Sequence, residues 1–283
     1  MRLASRRTRL VITPRRRGGT RPCRLIGPNG TRVERSEYER LDLVEDRMWW
    51  FAAAHRNLLV VSRRLPLASG NRPFLDAGCG TGGFLARLAG SYSDCVVLGL
   101  DADPQACTRA AAKSARPVCG GSVNDLPFAD GAFSAIFSAD VLCHQGVNER
   151  RALLQFHRCL AADGCLILNL PAYQWMLSRH DAAVHNIRRY TANGLRSLLQ
   201  TVGFRPVYVS YWNAVLFPLM VITRKLFPGD DGAASDVKLY SRPLDVVCRV
   251  ATGLETVLLR AGLRFPFGGS VLAIAGKEGV AHG

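Results

Sequence analysis

The stretch Leu75-Asp76-Ala77-Gly78-Cys79-Gly80-Thr81-Gly82-Gly83-Phe84 constrains this chain more than any other. An apolar run from Pro73 to Leu75 enters three alternating glycines, and Phe84, Leu85 and Leu88 then take up helical spacing. A strand, a glycine turn and a helix start, in that order, let a ligand lie on bare backbone. The N–H groups of the helix N-terminus then face it. Asp76 stands two residues before the first glycine, at the mouth of the loop. Its carboxylate repels a pyrophosphate and attracts a cation. On spacing alone the same string also satisfies Gly-x-Gly-x-x-Gly, at Gly78, Gly80 and Gly83, so a nicotinamide-dependent oxidoreductase stays open at this point.

The rest of the chain sets this loop in an α/β frame. Strands are expected at 73–77, 95–101, 116–120, 133–139, 164–170, 204–211 and 269–276, with helices between them. Leu195, Leu198, Leu199 and Val202 give one helical stripe, and Gly203 supplies its stop. Such alternation predicts a Rossmann-like, doubly wound, mostly parallel seven-stranded sheet, which binds ligands at the carboxyl ends of its strands. Asp76, Asp101, Ser122 and His144 all fall at such ends. Asp101 closes the strand Val96–Leu100, and its two oxygens suit a pair of ribose hydroxyls. A ligand with an ammonium group, a sulfonium and a ribose satisfies both acids, and S-adenosylmethionine carries all three.

Five motifs in order carry a resemblance. They are the Asp76–Gly82 loop, Asp101, Leu126-Pro127-Phe128 with Asp130-Gly131-x-Phe133, Asp140-Val141-Leu142-Cys143-His144, and Ala161-Ala162-Asp163-Gly164. Together they resemble the class I S-adenosylmethionine-dependent methyltransferases of the type 11 group, over roughly residues 40–278. Glu45-x-x-Met48-Trp49-Trp50-Phe51 with Arg56, His180-Asp181 with Arg188-Arg189-Tyr190-Thr191, and Tyr211-Trp212-Asn213 resemble a bacterial subgroup of that family. Its members lie near polysaccharide, lipid-linked glycan or natural-product genes. The resemblance implies the fold above with an antiparallel last strand and a helical, apolar cap. It also implies a cofactor site of Asp76, Gly78, Cys79, Gly80, Gly82, Asp101, Ala102, Ser122 and Val123. Two positions depart from the pattern. Ser122 stands where an acid usually meets the adenine amine, which shifts work to the Val123 backbone. Cys143 replaces the usual Glu before His144.

Methyl transfer is an in-line displacement, and a sugar hydroxyl acceptor needs a base. His144, at the end of strand four, is the first candidate, with a helix-capping role as its structural alternative. His180 and Asp181 form the second, with Asp181 orienting a ring. The alternative there is a loop lock shared with Arg188, Arg189 and Tyr190. Two regions lie outside the α/β alternation. Residues 40–66 open a helix at Trp49-Trp50-Phe51, and residues 212–268 hold the run Ala214–Ile222 and a stripe at Val247, Val250, Leu254 and Leu258. They are expected to cap the sheet edge. The alternative is a roof over an acceptor pocket or a membrane surface, with Trp212, Arg224 and Lys225 at the polar boundary.

Residues 1–33 hold ten arginines and no acid, so they carry ten of the fifteen net positive charges. They are expected to be a disordered extension ahead of one domain at 34–283. Contact with nucleic acid or anionic lipid, or an organellar address, is the alternative use of such a tail. A nucleic-acid methyltransferase or binder ranks below a small-molecule enzyme because no base-stacking platform is visible. No cysteine sits as Cys-x-x-Cys or at zinc spacing from a histidine, so no metal is expected. Cys79, Cys95, Cys107, Cys119 and Cys165 read as buried thiols of a cytoplasmic protein. The acceptor expected is small, amphiphilic, and glycosylated or lipid-linked. O-methylation and peripheral contact with the inner membrane face complete the expectation.

Overall fold

A computed structural model of the chain describes residues 45, 47–65, 72–226 and 241–277, the side chains of 179, 180 and 224–226 excepted. The basic segment 1–33 lies outside the described residues. Its central sheet has seven strands in the order β3-β2-β1-β4-β5-β7-β6. These are β1 (Phe74–Ala77), β2 (Val97–Asp101), β3 (Val118–Gly120), β4 (Phe133–Ala139), β5 (Leu160–Pro171), β6 (Phe204–Trp212) and β7 (Ser270–Lys277). All neighbours from β3 to β5 pair in parallel, and β7 runs antiparallel to both β5 and β6. The order reverses beside β1, so a crevice opens where the glycine loop leaves the sheet.

Each inner strand buries both faces, as parallel strands must when helices cover both sides. Leu75, Ile136, Leu166, Leu168 and Ala273 pack on one side with α4 (Glu149–Cys159) and α6 (Ala192–Thr201). Phe74, Phe137, Ile167, Leu272 and Ile274 pack on the other with α1 (Trp49–Ser62), α2 (Gly83–Ser91) and Ala110 of α3 (Pro104–Ser114). The short α5 (Arg179–Ala183) lies in the long connection after β5, α7 (Phe217–Leu226) follows β6, and α8 (Arg242–Ala261) packs against α1.

The expected strands lie within two residues of those observed, except at one end. β5 begins at Leu160, not 164, because Leu160 pairs with Phe133 before the register shifts to Ala135–Cys165. The Ala161–Gly164 turn is therefore an irregularity inside the strand. A larger difference concerns α8. Its buried residues are Cys248, Thr252, Glu255, Thr256 and Leu259, so the apolar stripe at Val247, Val250, Leu254 and Leu258 faces outward. The inward polar groups are satisfied: the Thr256 hydroxyl donates to Asn57 Oδ1, and Glu255 accepts from the N–H groups of Asn213 and Val215. Trp212 is fully buried and not at a polar boundary. Cys79, Cys107 and Cys165 are buried free thiols, whereas Cys119 is disulfide-bonded, against expectation. Among the described residues no helix is long and apolar enough to cross a membrane.

Candidate active site

The glycine loop is shaped by positions where no side chain fits. Gly78 takes φ +86°, and a Cβ there would lie 2.2 Å from Val141. Gly82 takes φ +92°, and a Cβ would lie 2.6 Å from the backbone of Ala110. Both need the left-handed conformation and a close approach that only glycine allows. Asp101 holds the loop from beside it. Its Oδ2 accepts from Gly80 N at 2.8 Å, and its Oδ1 from Asp103 N at 2.9 Å. Each oxygen keeps a second lone pair for a ligand hydroxyl.

Asp76 is different. It is buried in β1, and its Oδ2 meets no donor. Burial first, then Glu45 and Asp101, raise its carboxyl well above the usual range. A buried carboxylate oxygen without a partner is costly, and a cationic ligand would remove that cost. Glu45 completes the acidic wall. Its Oε2 accepts from the Thr81 hydroxyl at 2.5 Å and from Lys113 Nζ at 3.3 Å. A Cβ on Gly83 would fall within 2.6 Å of both its oxygens. The chain's own carboxylate therefore occupies the N-terminus of α2, where a dinucleotide would need its pyrophosphate. This argues against the nicotinamide reading.

The other expected cofactor residues fall around the same crevice. Ala102 and Ser122 are exposed just past β2 and β3, while Val123 is buried. Ser122 Oγ accepts from Asn124 N. Cys79 is buried and its thiol is pushed up by burial, so it lines the loop as an inert group.

At the end of β4 the structure adds a residue to which its place in the motif assigned no role. Asp140 is only half-buried and takes φ +54°, a conformation that non-glycine residues adopt at a cost of about 1 kcal/mol or more. Buried Trp212 donates its Nε1–H to Asn169 Oδ1 at 2.7 Å, and Asn169 Nδ2 donates to Asp140 Oδ2 at 3.0 Å. Since an indole can only donate, Trp212 fixes which end of the Asn169 amide faces Asp140. Burial pushes the Asp140 carboxyl up to about 7, against the pull of Asn169 and Arg189. A base that titrates near neutrality is the group that an acceptor hydroxyl needs.

His144 is half-buried nearby, and its Nδ1 lies 3.1 Å from the Val184 carbonyl. A carbonyl only accepts, so the neutral ring carries its proton on Nδ1 and its lone pair on Nε2. Burial lowers its pKa. It does not cap the next helix, since Asn148 does so through Arg151 N.

Asp181 is saturated. Arg189 contacts both its oxygens at 2.8 and 2.9 Å, and Ser178 donates from N and Oγ. Burial opposes ionisation there, but Arg189 and Ser178 outweigh it and hold the carboxyl below its usual range. Arg188 donates to the carbonyls of Leu142, His144 and Val147, and the Tyr190 hydroxyl lies 3.0 Å from the Leu142 carbonyl. These bonds lock the loop after β5 onto the segment after β4, the arrangement of the structural alternative. The side chain of His180 lies outside the described residues. No group of three or more histidines, cysteines or acids among the described residues is placed to hold a metal.

An aromatic wall follows β5. Tyr173 stacks on Tyr211 at 5.2 Å and meets Phe217 at 5.4 Å, and Phe217 contacts Trp175 and Phe267. Trp175 and Phe267 are exposed.

Residues 75–168 match the family model described as a methyltransferase domain. The match identifies that stretch, about a third of the chain, as a methyltransferase domain. Among curated proteins the chain is similar to the O-methyltransferase cnsE of Penicillium expansum, at 30% identity over 53% of this chain and 58% of that one. It is also similar to the malonyl-[acyl-carrier protein] O-methyltransferase of Geobacter sulfurreducens, at 28% identity over 56% and 66%. The chain thus spans less than two thirds of the length of these relatives. In fold it is similar to an S-adenosylmethionine-dependent methyltransferase of Thermotoga maritima. The TM-score is 0.53 and the identity 20%, covering 86% of this chain and 95% of that one.

Proposed function

We propose that this protein transfers a methyl group from S-adenosylmethionine to an oxygen of a small amphiphilic acceptor, a natural product or a glycosylated or lipid-linked cell-envelope metabolite. The unpartnered Asp76 oxygen carries the cofactor part of the reading, because a buried carboxyl that burial and two other acids keep from ionising is relieved by a cation. Asp76 would hold the ammonium group and Asp101 the ribose hydroxyls, with the loop from Gly78 to Gly82 against the ligand. When bound, the cofactor supplies an electrophilic methyl. Asp140 then takes the acceptor's hydroxyl proton on Oδ1 while Asn169 keeps Oδ2 in place. His144 Nε2 is the other group at this strand end that could take it. Tyr173, Trp175, Phe217 and Phe267 would bind the acceptor's apolar part. The similarity to two O-methyltransferases supports oxygen as the methylated atom.

The test is incubation of the protein and trideuteromethyl-labelled cofactor with fractionated small-molecule and lipid extracts, read by mass spectrometry. The expected result is a labelled methyl on an extractable amphiphile, lost with Asp140→Asn. Label appearing only on protein or nucleic acid would overturn the reading.

A further inference from the structure

The outward face of α8 is the largest feature that the site does not use. Val246, Val247, Val250, Leu254, Val257 and Leu258 are each 40–63% exposed. They form one strip about 18 Å long at helical rise. Val215, just before α7, and Leu219 and Ile222 on it are exposed as well. Soluble surfaces scatter such residues singly, and a contiguous patch marks a partner.

The charges around the strip say which partner. The two acids of α8 are withdrawn: Asp245 is engaged by Arg249 at 2.5 Å, and Glu255 is buried. The exposed charges at its ends are Arg242 on one side and Arg260 and Arg264 on the other. A second copy paired across α8 would set arginine ends against arginine ends in either direction. An anionic bilayer neutralises all three and accepts the aliphatic side chains without needing hydrogen bonds.

We propose that this face docks on the surface of an anionic bilayer. Val250, Leu254 and Val257 enter the boundary between headgroups and acyl chains, and Arg242, Arg260 and Arg264 lie at the level of the phosphates. The proposal does not depend on the acceptor's identity, since it rests on α8 alone.

The experiment is flotation of the full-length protein with vesicles of phosphatidylcholine alone, or with about 30% phosphatidylglycerol. Each arm is paired with calorimetric binding of S-adenosylhomocysteine and with light scattering for mass. Flotation with the anionic vesicles, weakened by salt, is expected. Val250→Asp/Leu254→Asp is expected to reduce partitioning at least tenfold, and Leu254→Ala/Val257→Ala by roughly tenfold, with ligand binding and melting temperature unchanged. Because all these positions are exposed, the variants keep the core. Three results would overturn the proposal. The first is no flotation of the wild type. The second is flotation that both variants retain, which would place binding in the arginine-rich N-terminal segment. The third is a wild-type dimer that the aspartates dissociate and that does not float.

Discussion

Asp76 is a buried carboxylate held ready for a cation, and that readiness costs the empty protein stability. Its pKa in the fold is raised above the unfolded value near 3.9. The stability it contributes is complete below that value and is lost as pH rises through the folded one. Asp76→Asn is therefore expected to raise the melting temperature of the ligand-free protein at neutral pH. The same change should weaken S-adenosylhomocysteine by about 1–3 kcal/mol, the scale of a lost charged hydrogen bond. Affinity in the wild type should fall as pH drops and the carboxyl takes up its proton. Calorimetry in buffers of different ionisation enthalpy would then detect proton release on binding. A variant that is less stable and binds equally well would remove Asp76 from the site. Asp140 carries the second expectation. With its carboxyl pushed up to about 7, turnover should rise with pH through that region. Asp140→Asn should lower kcat by about 10²–10⁴ at unchanged cofactor affinity. If His144→Ala gives that loss instead and Asp140→Asn does not, the base is His144. Asp76, Asp101 and the glycines were legible in the sequence because their spacing is local. Asp140 could be read as a letter of a motif but not as a base. Its backbone angle and its Asn169–Trp212 support depend on contacts 29 and 43 positions apart.

Between single residues and the fold stand elements whose orientation the pattern of residues does not state. The His180–Tyr190 segment is one. The Asp181–Arg189 pair is buried, with side chains 1% and 6% exposed, and it ties the loop after β5 in place. Asp181→Ala leaves the guanidinium without its counterion, and a loss of about 3–5 kcal/mol is expected. Because the Asp181 pKa is depressed, this contribution is present above the unfolded carboxylate value and fades as pH falls through the folded one. Denaturation of the wild type and the variant at pH 7 and at about pH 2 checks both statements. A lock predicts lost stability with turnover per folded molecule kept, whereas a catalytic carboxylate predicts the reverse. The helix α8 is the other case. Its period was visible, but apolar periodicity alone assigns the apolar side to the core. The reverse holds here because Thr256 finds partners on α1, Glu255 accepts from Asn213 and Val215, and the Thr252 hydroxyl donates to the Cys248 carbonyl within the helix. Such pairing depends on which helices meet, which no window of residues contains.

At the scale of the molecule, the sheet was the most legible part. Short apolar strands alternating with amphipathic helices leave a parallel sheet with two covered faces as the economical way to bury both. β7, inserted between β5 and β6 against their direction, follows from the family pattern and not from alternation. Because β1, β2 and the segment after β4 meet the glycine loop, ligand binding there is coupled to the middle of the sheet. A ligand at about 100 times its Kd stabilises the folded state by about 2.7 kcal/mol. For a domain of this size that corresponds to a rise of roughly 5–10 °C in melting temperature. S-adenosylhomocysteine is expected to give this shift, and NAD at the same concentration none. Glu45 sits on the helix N-terminus that a pyrophosphate would need, and Asp76 repels it. Thermal scans of the wild type with each ligand decide the matter. The Asp76→Asn protein adds a control, since it should start higher and shift less. A shift with NAD alone would mean that the acidic wall rearranges to admit phosphate, and the crevice would have to be reassigned.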